Sequence, residues 1–204
     1  MLERVSGGRL TRRNRAASLR DVFRQSTDEG AIRARGCSLN PFKYRLDAAT
    51  LDAATPDGTQ IFLLRRGDAF AQTVLRILSN KTKIWPASAK AGKAERLRQL
   101  ARDIEIDSAE FRLQFAATVS ANAELHAMAS ALAGDDLQEL SAEQLLVDSK
   151  SVLDGMFSQL GCPPPPASYT YPAREDKVYP EDLSSWLKNY DGLKAGVRDL
   201  EDQA

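Results

Sequence analysis

The chain has 204 residues, 43% of them hydrophobic and 27% charged, enough for one domain with a buried core. Lysine plus arginine number 28, as do aspartate plus glutamate, and a net charge of zero offers no general attraction to nucleic acid or to an anionic membrane surface. No apolar run approaches the ~20 residues that span a bilayer, and the N-terminal arginines are not followed by the apolar stretch of a secretory signal.

Residues 1–34 are read as a basic arm. Arg12, Arg13 and Arg15 supply the charge, and Ala17, Leu19, Val22 and Phe23 suggest one short helix. Ser6-Gly7-Gly8-Arg9 is rich in glycine, but too few residues precede it to build the strand that a phosphate loop needs. Residues 35–39 are read as a strand, with a loop or short helix after it, and Thr55-Pro56-Asp57-Gly58 as a turn. Ile61 to Leu64 form an apolar run that suits a parallel strand covered on both faces, over 60–65. Arg65 and Arg66 follow at its C-terminal end. Gly67 and Asp68 make a turn, Asp68 is placed to cap a helix, and Phe70, Val74, Ile77 and Leu78 repeat at helical spacing. Two arginines between a strand end and a helix N-terminus form a candidate phosphate site, because guanidinium forks and free N–H groups converge there.

Residues 79–90 are expected to be a loop carrying Lys81, Lys83, Trp85 and Lys90, and 92–103 a charged helix. Asp107-Ser-Ala-Glu110 is a capping-box pattern, and a helix is expected over 108–133 with Phe111, Phe115, Val119, Met128 and Leu132 on one broad face. His126, the single histidine, lies on that helix. It reads either as a general base or as a packed structural residue, and no carboxylate is set beside it by the sequence. A short strand is expected over 137–140. Ser141 and Gln144 form a second capping box, and Asp148 caps a helix carrying Val152, Met156, Phe157 and Leu160, which Gly161 stops. Pro163 to Pro166 make a stiff connector or a partner-recognition segment. Pro180 is expected to open a terminal helix with Leu183, Trp186, Leu187 and Tyr190 as its apolar face. Cys37 and Cys162 stand apart, without metal spacing, as thiols of a reducing compartment do.

Three blocks, taken in order, resemble the sulfotransferases that use phosphoadenosine phosphosulfate (PAPS), nearest to the bacterial carbohydrate and glycolipid type. Leu64-Arg65-Arg66-Gly67-Asp68 is similar to that family's Leu-x-Arg-Arg-x-[Asp/Asn] turn. Leu137 to Asp148, then Leu153 to Pro163, resembles its strand, Tyr-Glu-Asp-Leu turn and following helix. Asp182 to Asp191 resembles its terminal Trp- and Tyr-containing helix. The resemblance spans most of 35–195. It implies a helix-rich α/β three-layer fold of the P-loop-NTPase-like type, with a short parallel sheet and residues 35–204 as the domain. It further implies PAPS or its desulfated product PAP as cofactor and a hydroxyl-bearing carbohydrate or glycolipid as acceptor; a cytoplasmic location is expected from the separate cysteines, which suit a reducing compartment. Arg65, Arg66 and Thr73 would hold the 3′-phosphate, and Arg174 and Lys177 lie in a segment that returns toward the nucleotide in that family. The departures are as specific. The Pro-Arg-Ser-Gly-Ser/Thr loop that cradles the phosphosulfate has no counterpart, Gly67 stands where the family has an arginine, Leu75 replaces a serine, and Ala142 and Gln144 replace a tyrosine and an aspartate. The expectation is an N-terminally shortened member with weak or no activity, or a non-catalytic module on the same fold. An open sheet edge left by the missing strand would invite contact with a second copy.

Overall fold

The computed structural model describes residues 47–55, 58–84, 96, 99–166, 183–185 and 187–201. The described elements run α1 (Ala48–Ala54), β1 (Phe62–Arg65), α2 (Ala69–Thr82), α3 (Ser108–Ala133), a 3-10 turn (Gly134–Asp136), β2 (Gln138–Ser141), α4 (Ala142–Val147), α5 (Ser149–Gln159) and α6 (Tyr190–Glu201). The architecture is helix-rich α/β, with β1 and β2 paired in a short parallel sheet. The expected strand at 35–39 and the arm at 1–34 lie outside the described residues.

The chain divides into two compact units. One takes its described residues from Met1–Leu63, Leu125–Glu139 and Leu153–Pro164, the other from Leu64–Glu124, Leu140–Val152 and Pro165–Ala204. The second unit holds the larger core. From α2 it takes Phe70, Val74, Leu75, Ile77 and Leu78, which are apolar at helical spacing and therefore share a face. Phe111 and Phe115 come from α3, Leu193 and Val197 from α6, Ala101 from a helical stretch at 99–101, and Ile106, Leu183 and Leu187 from the connections. Its centre is aromatic. The Phe70 and Phe111 rings lie 5.2 Å apart and tilted, Tyr190 meets Phe70 edge-on at 5.3 Å, and Phe115 stacks on Phe111 at 5.9 Å. In the first unit Leu51, Leu63 and Ala129 are buried.

Side chains cap the helices where the sequence places capping residues. Asp68 Oδ1 accepts from the Ala71 N–H at 2.8 Å, Asp107 Oδ1 from Glu110 at 2.8 Å, and Asp148 Oδ1 from Ser151 at 3.0 Å. Glu110 makes an ion pair with Lys81 at 2.9 Å. At the end of α5, Cys162 N–H reaches the Phe157 carbonyl at 2.8 Å and Gly161 N–H the Ser158 carbonyl at 3.0 Å. This Schellman arrangement needs the left-handed residue that Gly161 supplies at φ 63°.

Three expectations are corrected. The loop expected from residue 79 begins at 83. Ser79 is buried within α2, Thr82 Oγ1 donates to the Leu78 carbonyl at 2.7 Å, and Lys83 ends the helix in the left-handed region at φ 59°. The buried face of α3 runs through Phe111, Phe115 and Thr118, whereas Val119 is exposed. Residue 118 is seven positions, close to two full turns, from Phe111, while 119 is rotated off that line. Thr118 tolerates burial because its hydroxyl donates to the Gln114 carbonyl at 2.8 Å. The terminal helix starts at Tyr190 and not at Pro180, which lies outside the described residues together with Trp186. Leu183 and Leu187 are buried ahead of α6, outside any helix. Just ahead of α6, the Asn189 side chain donates to the Ile106 carbonyl at 2.7 Å and accepts from its N–H at 3.4 Å, fixing where the helix begins.

Candidate functional site

The turn from β1 into α2 lies in the second unit. β1 ends at Arg65, which is exposed, and Arg66 follows half-buried. Both residues have interaction partners within the fold. Gly67 and Asp68 complete the turn, and Asp68 caps α2. The sequence thus places two guanidinium groups just before the positive end of a 14-residue helix.

That positive end already carries carboxylates. Glu143, in the first turn of α4, receives the Gly67 N–H on both carboxylate oxygens at 3.2 Å. The Ser141 hydroxyl donates to Glu143 Oε2 at 2.9 Å, while Ser141 Oγ itself accepts from the Gln144 N–H at 3.2 Å and caps α4. Burial alone would raise the Glu143 pKa. The N–H groups of Glu143 itself, Gly67 and Asp68, with the Ser141 hydroxyl, outweigh it and hold the carboxyl below the usual glutamate range. The Gly67 and Asp68 N–H groups therefore meet Glu143, and Asp68 takes the Ala71 N–H. An anion arriving at this turn meets the carboxylates of Glu143 and Asp68.

Because the folded pKa is depressed, the stabilising contribution of Glu143 is present above the unfolded-state pKa and is lost as pH falls through the lower folded value. Glu143→Gln should abolish that acid step in a pH titration of stability. At neutral pH the same change removes one negative charge from the turn, and PAP affinity should rise by about fivefold at low salt. Unchanged acid behaviour together with unchanged PAP binding would show that the carboxylate contributes neither to the turn nor to its charge.

Thr73, the third expected phosphate ligand, is not at the turn. It is completely buried on the core face of α2, and its hydroxyl donates to the Ala69 carbonyl at 2.8 Å. Five residues after Asp68, the helical period carries it inward alongside Val74 and Ile77. Leu75, where the family-like serine would stand, is also buried. Lys81 is held by Glu110. Trp85, Lys90, Arg174 and Lys177 lie outside the described residues.

Gly67 is not demanded by crowding. A Cβ there would come no nearer than 3.9 Å to Glu143 Oε2, which is ordinary contact. Glu143 is the residue that sequence reasoning passed over. The signal was present, since it stands between Ala142 and Gln144, where the Tyr-Glu-Asp-Leu pattern of the resemblance has its glutamate. Glu139 was missed as well. It lies on β2, in the first unit, with Oε1 2.9 Å from His126 Nε2, and the two side chains are 43% and 41% exposed respectively. No group of three or more metal-ligating side chains occurs among the described residues, and none of their helices is long and apolar enough to cross a membrane.

The chain matches no family model. No curated protein and no solved structure matches it either.

Proposed function

We propose that the chain is a sulfotransferase-like protein in which Arg65 and Arg66 form a half-site for the 3′-phosphate of PAPS or PAP, the acceptor being a hydroxyl of a carbohydrate or glycolipid. The observation that carries the reading is the junction itself, where a parallel strand ends in paired arginines one short turn before a capped helix. A guanidinium fork binds phosphate oxygens bidentately, so this half-site does not depend on the turn's N–H groups. The reading includes a cytoplasmic location, which the separate cysteines suit.

Transfer of the sulfuryl group requires in-line placement of donor and acceptor and stabilisation of charge on the bridging oxygen. The residues at this turn serve the 3′-phosphate end only. The phosphosulfate loop of the family has no counterpart in the sequence. We therefore expect PAPS-dependent transfer of labelled sulfate to monosaccharide and glycolipid hydroxyls to stay at background with this chain. Robust turnover would contradict the reading and call for a phosphosulfate site elsewhere.

A second reading, a non-catalytic module on a sulfotransferase-like fold, is favoured by the Glu143 contact. That carboxylate closes the turn from within and leaves less of the helix end to a nucleotide. The two readings separate on PAP binding, which the first requires and the second does not.

A further inference from the structure

Ser130, His126 and Glu139 form a second chemically coherent cluster, confined to the first unit and independent of the β1–α2 turn. His126 and Ser130 stand one turn apart on α3, and β2 supplies Glu139. With its proton on Nε2, the His126 ring donates to Glu139 Oε1 at 2.9 Å. Nδ1 is then an unprotonated acceptor, and Ser130 Oγ lies 3.5 Å from it. This is the long limit of a hydrogen bond, a separation common for catalytic pairs before substrate closes on them. The order hydroxyl, imidazole, carboxylate is that of an activated serine nucleophile, with the two ring nitrogens exchanged relative to the most familiar arrangement. The roughly two-fifths exposure of His126 leaves the cluster open to a small acyl donor.

We propose that Ser130 is a nucleophile toward activated acyl esters, with His126 as its base and Glu139 as the residue that positions the imidazole. In the first step Ser130 Oγ bonds to the carbonyl carbon while its proton passes to His126 Nδ1. The tetrahedral adduct then expels the alcohol or phenol, which carries the ester oxygen away and takes the proton back from Nδ1. Water attacks the acyl-serine in the same way, releasing the carboxylic acid and restoring the serine. Base activation contributes ~10²–10⁴-fold in such steps.

The test is p-nitrophenyl acetate, followed by p-nitrophenol release and by peptide mapping of the acetylated chain. The expected result is acetyl on Ser130, with the release rate falling by at least ~10-fold in Ser130→Ala and in His126→Gln. Ser130→Ala should not unfold α3, since alanine is the best helix former, and circular dichroism checks this. Glu139→Gln should slow acetylation at unchanged helix content, with Glu139→Asp recovering part of the loss. A purely structural Glu139 would leave the acetylation rates of both variants at that of the parent chain. Acetyl found on His126 or on lysines, or release unchanged in Ser130→Ala, overturns the proposal.

Discussion

Replacing Phe111 by alanine is expected to destabilise the second unit by ~3–5 kcal/mol, the usual cost of deleting a large buried aromatic. Among the described residues Phe111 is the largest fully buried side chain, at 1% exposure. It contacts Phe70 and Phe115 directly, and Phe70 in turn meets Tyr190 at the start of α6. Its removal therefore leaves a void where α2 and α3 pack and weakens the ring cluster that anchors α6. The rings belong to rigid helices, so the void closes only in part, and the cavity contribution adds to the lost transfer energy. Urea unfolding followed by circular dichroism measures the change. Leu113→Ala on the same helix is the control, because Leu113 is 71% exposed and should change stability by no more than ~0.5 kcal/mol. Equal effects at the two positions would mean that the face assigned to α3 is wrong.

The sequence made the local structure readable where capping chemistry and apolar period agree. Asp68, Asp107, Asp148 and Gly161 all act at the helix ends that their types predict, since each satisfies backbone groups within a few residues of itself. The span 108–133 and the strand at 137–140 follow from the same local signals, the strand shifted by one residue. Reading failed where the deciding contact is distant in sequence. The start of α6 is set by Asn189 binding Ile106, 83 residues away, and no local pattern encodes that bond. Thr73 enters the expected site only through the resemblance, but its hydroxyl is satisfied by its own helix and the residue belongs to the core. The same holds for the candidate site. Arg65 and Arg66 could be placed at a strand end from the apolar run before them. The 76-residue separation of Glu143 from Gly67 hid the carboxylate that shares the turn, and the pairing of Glu139 with His126 was hidden because it joins a strand to a helix across an intervening turn.

The central claim is a guanidinium half-site for a nucleotide 3′-phosphate at the end of β1, and calorimetric titration of PAP at low ionic strength tests it most directly. Arg66 is half-buried, and a charge-assisted guanidinium–phosphate contact contributes ~1.5–3 kcal/mol, equivalent to a ~10–100-fold change in affinity. Low salt matters because part of the attraction is long-range and is screened within ~10 Å at 0.1 M. The parent chain should bind PAP in the micromolar range. Arg66→Ala should lose that binding while keeping the parent circular dichroism spectrum. Adenosine 5′-phosphate, which lacks the 3′-phosphate, should bind the two chains alike. Absence of PAP binding to the parent chain, or binding that survives Arg66→Ala unchanged, would contradict the half-site.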